Sequence, residues 1–317
     1  MKVSEIFELM IEAGIENDPR GKDEVEVQLK KRREQFEELS SNKKKDFDQE
    51  KLTNPYLDSG IHFMDRDLEV KRVLVGIDID SAEVLLAKEL ERQGKKIDLI
   101  IGHHPIGKAL SDLHEVMDIN TDILVAAGVP ENIAEGVLAE RIREVSRTVA
   151  PGNHFQAVDV ARLLNVPLMN VHTPADNAVW KFVSEAIAEE KPKTLGQIIE
   201  LLKKVPEYKI AVGRGAGPTI FAGAENSRVG KIVVGMTGGT SGSEKAYERL
   251  SHHGIGTMVD MHISEKSRDE ASKHFVNVVV AGHISSDSLG MNLLLDKLEE
   301  KGIEIVSCSG LIRHSRV

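Results

Sequence analysis

The chain holds a single cysteine, Cys308, among 317 residues. One thiol closes no intrachain disulfide, and without a CxxC pair there is neither a cysteine zinc knot nor dithiol redox chemistry, so a reducing compartment is expected. Aromatic residues are scarce at 4%, which leaves few platforms for stacking single-stranded bases. Positive charge is in deficit as well. The 41 Lys and Arg stand against 51 Asp and Glu, a net charge of −10, so nucleic acid is not an expected partner. No apolar run approaches the ~20 residues that span a bilayer, and Met1-Lys2-Val3-Ser4-Glu5 places an acid where a signal peptide needs apolar residues; a soluble, cytoplasmic protein with no membrane partner is expected. Neither a Gly-x-Ser-x-Gly elbow nor a Gly-Lys-Ser/Thr phosphate loop is present, which excludes the usual α/β-hydrolase serine and P-loop ATPase chemistry.

What is present is an ordinary globular balance, 41% hydrophobic and 29% charged, with twelve histidines. A chain this poor in cysteine must build any transition-metal site from imidazole and carboxylate. Its length exceeds what one compact core usually holds and favours two α/β lobes.

Residues 1–60 read as a helical N-terminal extension. Ser4 can cap a first helix reaching Ala13, Glu24 to Leu39 is dense in Glu, Lys, Arg and Gln, and the charge of Lys43-Lys44-Lys45 is cancelled by Asp46, Asp48 and Glu50. Asn54-Pro55 breaks the helical pattern. From there, short β-branched runs alternate with helical segments, as mixed or parallel sheets covered by helices require. Strands are predicted over 72–78, 97–102, 167–171, 231–236, 276–281 and 303–307, and a strand region starting at 209–212. Helices are predicted over 81–93, 174–190, 194–204, 244–251 and 286–301, with a mainly helical stretch over 106–164. No fixed-period repeat is found. The expected organisation is one α/β lobe over 61–190 and a second over 191–317, sharing one site.

In open α/β sheets, ligands bind beyond the carboxyl ends of the strands. Three predicted strand ends carry histidine. Leu99-Ile100-Ile101-Gly102 runs into His103-His104-Pro105, where Pro105 biases His104 to an extended conformation that splays the two imidazoles. Met169-Asn170-Val171 runs into His172-Thr173-Pro174-Ala175-Asp176. Here Thr173 and Asp176 also fit a capping-box variant, so Asp176 reads equally as cap or ligand. Val278-Val279-Val280-Ala281-Gly282 runs into His283-Ile284-Ser285-Ser286-Asp287. Capping explains the acids but not why each strand closes with histidine; a metal site of imidazoles and carboxylates explains both. His103, His104, His283, Asp176 and Asp287 could serve two divalent cations, and such a pair can activate a shared water and clamp a phosphoryl or carbonyl oxygen.

The ordered series His-His-Pro, His-Thr-x-x-Asp and Gly-His with an acid four residues on resembles the NIF-three-like dinuclear-metal proteins, also called GTP cyclohydrolase type-two-like, from about Val73 to the C-terminus. The resemblance implies metal ligation by His103, His104, Asp176, His283 and Asp287, with His172 beside the site for proton transfer. It also implies a two-lobed α/β protomer in a ring-like homohexamer whose metals face an internal cavity. The chain departs from the family at Asp287, where Glu is usual, and at Met258-Val259-Asp260-Met261-His262, where the family carries Thr-Gly-Asp. The link from His104 to His172 is long for the family, and residues 1–60 match nothing in its pattern.

Other features are weaker. Asp80 and Glu83 form a capping box, and Asp78 could orient a ligating histidine. Thr237 to Ser243 is either an anion-binding loop or a plain connection, Gly213 to Gly217 is a turn in which Arg214 could face an anion, and His252-His253 sits at a helix end. His62, His114, His154, His274 and His314 lack a partner pattern, and Cys308 has no visible base. The leading expectation is a metal-dependent hydrolase acting on a nucleotide or other small anionic, phosphorylated substrate, with GTP ring-opening implied only by the family. The alternative is a non-catalytic metal-binding regulatory or assembly protein. Zinc, iron, manganese, cobalt and nickel are not distinguished by these ligands.

Overall fold

In the computed structural model, which describes residues 1–317, nine strands form two sheets. They are β1 (Gly60–Phe63), β2 (Arg72–Gly76), β3 (Leu99–Gly102), β4 (Leu168–Asn170), β5 (Thr219–Ala222), β6 (Lys231–Val234), β7 (Ile255–Asp260), β8 (Asn277–Val280) and β9 (Glu304–Cys308). The first sheet has the order β1-β4-β3-β2-β9 and the second β5-β8-β7-β6. Four strands run parallel in the first sheet and three in the second, and an antiparallel strand, β1 or β5, flanks one edge of each. The mixed α/β architecture covered by helices is therefore as expected.

Continuous apolar runs such as Leu99-Ile100-Ile101 are buried on both faces, because helices cover both. Alternate side chains divide between two cores in each sheet. Val73, Val75, Leu99 and Ile101 pack with helices Val3–Glu16 and His283–Glu299, whereas Leu74, Ile100 and Leu168 face helices Ser81–Arg92 and Gln156–Leu164. In the second sheet, Val234, Val259 and Val279 meet helices Thr173–Glu190 and Leu195–Lys203. Val233, Met258 and Val278 meet the helical layer of Asp118–Ala126 and Ala246–His252.

Strands β1–β4 and β5–β8 have the same order and the same antiparallel edge, so the two halves repeat one topology. No fixed period betrays this in the sequence, because a many-helix link joins β3 to β4 while the single helix Glu265–Lys273 joins β7 to β8. Helices Thr173–Glu190 and His283–Glu299, which leave the ends of β4 and β8, pack against each other. Gly290 makes the approach close: a Cβ there would lie 2.3 Å from the Ala175 carbonyl oxygen.

Several local expectations differ from the structure. Residues 206–213 are helical rather than a strand, since Pro206 at the first turn fixes a helical φ. The edge strands β1 and β5 and the strand β7 escaped the sequence pattern. Ser4 does not cap; its hydroxyl donates to Asp67 Oδ2 at 2.7 Å. Within residues 1–60, helix Val3–Glu16 buries Val3, Ile6, Met10 and Ala13 in the first core, so its stem is part of the body of the fold. The final strand β9 crosses back to pair with β2 in the first sheet, because its Ile305 and Val306 complete that sheet's cores. No helix is long and apolar enough to cross a membrane.

Candidate metal centre

The carboxyl ends of β3, β4 and β8 converge where the two sheets meet. His103 and His104 follow β3. His172 and Asp176 lie at the start of the helix after β4, and His283 and Asp287 in the first turns of the helix after β8. The i, i+4 pairs His172/Asp176 and His283/Asp287 thus hold equivalent places in the two halves, each with imidazole and carboxylate on one helix face.

Their atoms are close. Asp287 lies among three imidazoles, 3.7 Å from His103 Nε2, 3.4 Å from His104 Nε2 and 3.6 Å from His283 Nε2. Asp176 is 3.5 Å from His103 Nε2 and 3.8 Å from His172 Nε2. The shorter Asp287 side chain therefore reaches the centre of the group. Three overlapping sets, His103/His104/His172, His104/His283/Asp287 and His103/Asp176/Asp287, each bring their ligand atoms within 4.8 Å of one another.

Three of the histidines are oriented in the same way. His172 Nδ1 is 2.7 Å from Asp58 Oδ2, His104 Nδ1 is 2.7 Å from Asp78 Oδ1, and His103 Nδ1 is 3.1 Å from the Val171 carbonyl oxygen. An acceptor at Nδ1 keeps the proton there and leaves the Nε2 lone pair aimed into the group, the arrangement typical of metal-bound imidazole. The acceptors are themselves fixed. Thr173 donates its hydroxyl to Asp58 Oδ2 at 2.6 Å, so Thr173 serves this carboxylate instead of capping its helix, and the first helical turn has no side-chain cap. That removes capping as the explanation of Asp176.

Buried polar atoms normally have partners. Here His103 Nε2, Asp176 Oδ1 and both oxygens of Asp287 are buried and make no hydrogen bond. Four unpartnered donor atoms in one group, all lone-pair bearing, fit a cation and are costly without one. The buried His/Asp group could thus hold a metal ion.

Electrostatics follow from the crowding. Burial alone would lower His172, but the Asp176 and Asp58 carboxylates outweigh it and push it up to about 9. Burial pushes Asp176 up to about 7 against the attraction of His172. Burial holds His103 well below the usual imidazole range. For Asp287, burial works upward, yet the neighbouring His103 and His104 hold it below the ordinary carboxylate value.

Beside the group lies a cavity of about 270 Å³, lined on one side by His104, His172, Asp176 and His283 and on the other by the loop Thr237–Ser241 and His262. His262 accepts or donates at Nδ1 with Ser241 Oγ, 2.9 Å away, and its ring stands edge-on to His283 at 4.7 Å. Asp260, in the stretch where the family carries Thr-Gly-Asp, is half-buried and held by the Met261 amide at 2.7 Å rather than joining the ligand atoms; desolvation pushes it up to about 7. The Asp80/Glu83 capping box is formed. Sequence reasoning did not pick out Asp58, which stands outside the histidine-bearing strand-end motifs, or Asn170, which lies inside one as an ordinary strand residue and binds His62 at 2.7 Å.

The fold and this group define a two-sheet α/β protein built around a buried histidine–aspartate cluster. Among solved structures the chain is similar to a NIF3 superfamily protein from Sphaerobacter thermophilus, at 26% identity and a TM-score of 0.76 over 98% of this chain and 99% of that one. It is also similar to reduced HcgD from Methanocaldococcus jannaschii (17% identity, TM-score 0.49, 78% and 88% coverage) and to a Bacillus cereus protein related to NIF3 (13%, 0.44, 79% and 90%), though these two superpose too loosely to add to the first. No protein-family model matches the chain, and no curated protein does. The similarity in fold to a NIF3 superfamily protein over nearly the whole of both chains agrees with the resemblance that the histidine motifs carry. The 98% coverage extends the likeness through residues 1–60, which the family's motifs had left without a counterpart.

Proposed function

We propose that this protein is a dinuclear, divalent-metal-dependent hydrolase acting on a nucleotide or another small phosphorylated molecule. The observation that carries the reading is the set of four unpartnered buried donor atoms beside an accessible cavity. His103, His104, His172, Asp176, His283 and Asp287 would hold the ions, His103, His104 and Asp287 being shared between overlapping sets. When bound, a divalent pair lowers the pKa of coordinated water and polarises a carbonyl or phosphoryl oxygen. The remaining work belongs to the chain. Asp58 and Asp78 orient His172 and His104, the close helix approach at Ala175 and Gly290 holds the two ligand-bearing helices together, and His262 with Ser241 faces the cavity beside the group. His172, expected from the sequence to transfer protons, has Nδ1 engaged by Asp58 and Nε2 turned to Asp176, which favours ligation. GTP ring-opening and a cytoplasmic homohexamer remain part of this proposal through the family resemblance.

Metal analysis of purified protein, followed by a panel of nucleotides and phosphoesters, tests the reading. Near-stoichiometric metal that is lost in His103→Ala and His283→Ala, with turnover in the replete protein, is expected. Metal content unaffected by both substitutions would sink it. A second reading, a non-catalytic metal-binding assembly protein, is favoured by one observation: His103, Asp176 and Asp287 are buried where the two sheets meet, so ions there would staple the halves. Bound metal with no turnover across the panel would select it.

A further inference from the structure

The two halves repeat one topology but differ at one edge. In the first sheet, β9 pairs in parallel with the outer edge of β2; in the second, β6 occupies the equivalent place and nothing pairs with its outer edge. That edge forms the floor of a cavity of about 490 Å³. One wall is the helix Asp118–Ala126, through Ile123 and Ala126, and the other is the helix Thr173–Glu190, through Trp180 and Ile187.

Backbone polarity points into this slot. The Gly235 amide donates to the Val259 carbonyl at 2.9 Å, so Gly235 and, two residues earlier, Val233 face β7. By alternation Ile232 and Val234 turn their N–H and C=O groups outward. The Trp180 indole, which donates to the Val234 oxygen at 3.2 Å, approaches from that side. An unpaired edge of this kind is a template for strand addition, and native proteins usually cover or blunt it. Helices wall the slot on both sides of the strand, which suits a slender extended segment.

Charge says what kind of segment. On a chain of net charge −10, the rim carries Lys191, Lys193 and Lys231, against one acid, Asp122, on the opposite wall. We propose that the β6 edge is a docking slot for an extended, acidic segment of a partner protein, which adds to the second sheet in the position that β9 fills in the first. Its alternate residues would be apolar, meeting Trp180 and Ile123, and its carboxylates would meet Lys191 and Lys193.

The test uses the full-length protein and fluorescein-labelled nonapeptides alternating Val or Ile with Glu, beside a matched set carrying Lys in place of Glu. Fluorescence anisotropy should show the acidic set binding at least tenfold more tightly. Ile232→Pro deletes an outward N–H while sparing the β7 pairing, and should weaken binding at least tenfold. If that variant does not fold, Lys191→Glu with Lys193→Glu, both exposed, should give the same loss. Acidic peptides that do not bind, or that bind equally to the Lys set or to both variants, would overturn the proposal. So would sedimentation showing that Ile232→Pro dissociates an oligomer, which would assign the edge to a second copy.

Discussion

Asp58 Oδ2 lies 2.7 Å from His172 Nδ1 and also accepts the Thr173 hydroxyl, so a carboxylate just before β1 sets the direction of an imidazole that follows β4. Partners of this kind typically carry 10–100-fold in metal affinity. Asp58→Asn keeps an acceptor without the charge and should weaken divalent-metal affinity by about tenfold, while Asp58→Ala should approach 100-fold. Chelator competition measures both; equal affinity in wild type and Asp58→Ala would show that His172 needs no such support.

Gly290 lets two helices meet. Alanine is the better helix former by about 1 kcal/mol, so in an exposed helix Gly290→Ala would stabilise. Here the added Cβ would fall 2.3 Å from the Ala175 carbonyl oxygen, and separating the helices should cost about 1–3 kcal/mol net. Urea unfolding reads the sign, and a rise in the midpoint would contradict the close packing.

Asp122 gives a pH signature. Burial, working against the attraction of Arg20, pushes its carboxyl up from 3.8 to about 6. An acid whose folded pKa is raised stabilises the fold at low pH and loses that contribution as pH rises through about 4 to 6. Asp122→Asn removes the penalty. Because the side chain is only partly buried, the expected gain at pH 7.5 is about 1 kcal/mol, shrinking as pH falls toward 4. Thermal melts of both proteins across that range test the slope; a gain independent of pH would point to another cause.

Cys308 should be unreactive when folded. Burial pushes its thiol from 9.0 up to about 11, which at pH 8 leaves roughly 100-fold less thiolate than an unshifted thiol has. Alkylation by iodoacetamide should therefore accelerate on the order of 100-fold in urea. Equal native and unfolded rates would show the thiol to be accessible and ionised.

Features whose causes are local could be read along the chain. Each of the three histidine-bearing strand ends is a buried apolar run followed by a helix start, and both signals lie within a few residues, so His103, His104, His172, Asp176, His283 and Asp287 were legible as a series. Even the choice of Asp78 as an orienting acid followed from its place after β2, and it stands 2.7 Å from His104. The remaining features depend on pairings between distant segments, which emerge only in the folded molecule. Strand β9 joins β2, helix Val3–Glu16 enters the first core, Asp58 reaches His172, and the topology repeats across two halves joined by links of unequal length. Strand order and helix packing arise from burial shared between segments far apart in sequence, and no local periodicity encodes which partner each segment will find.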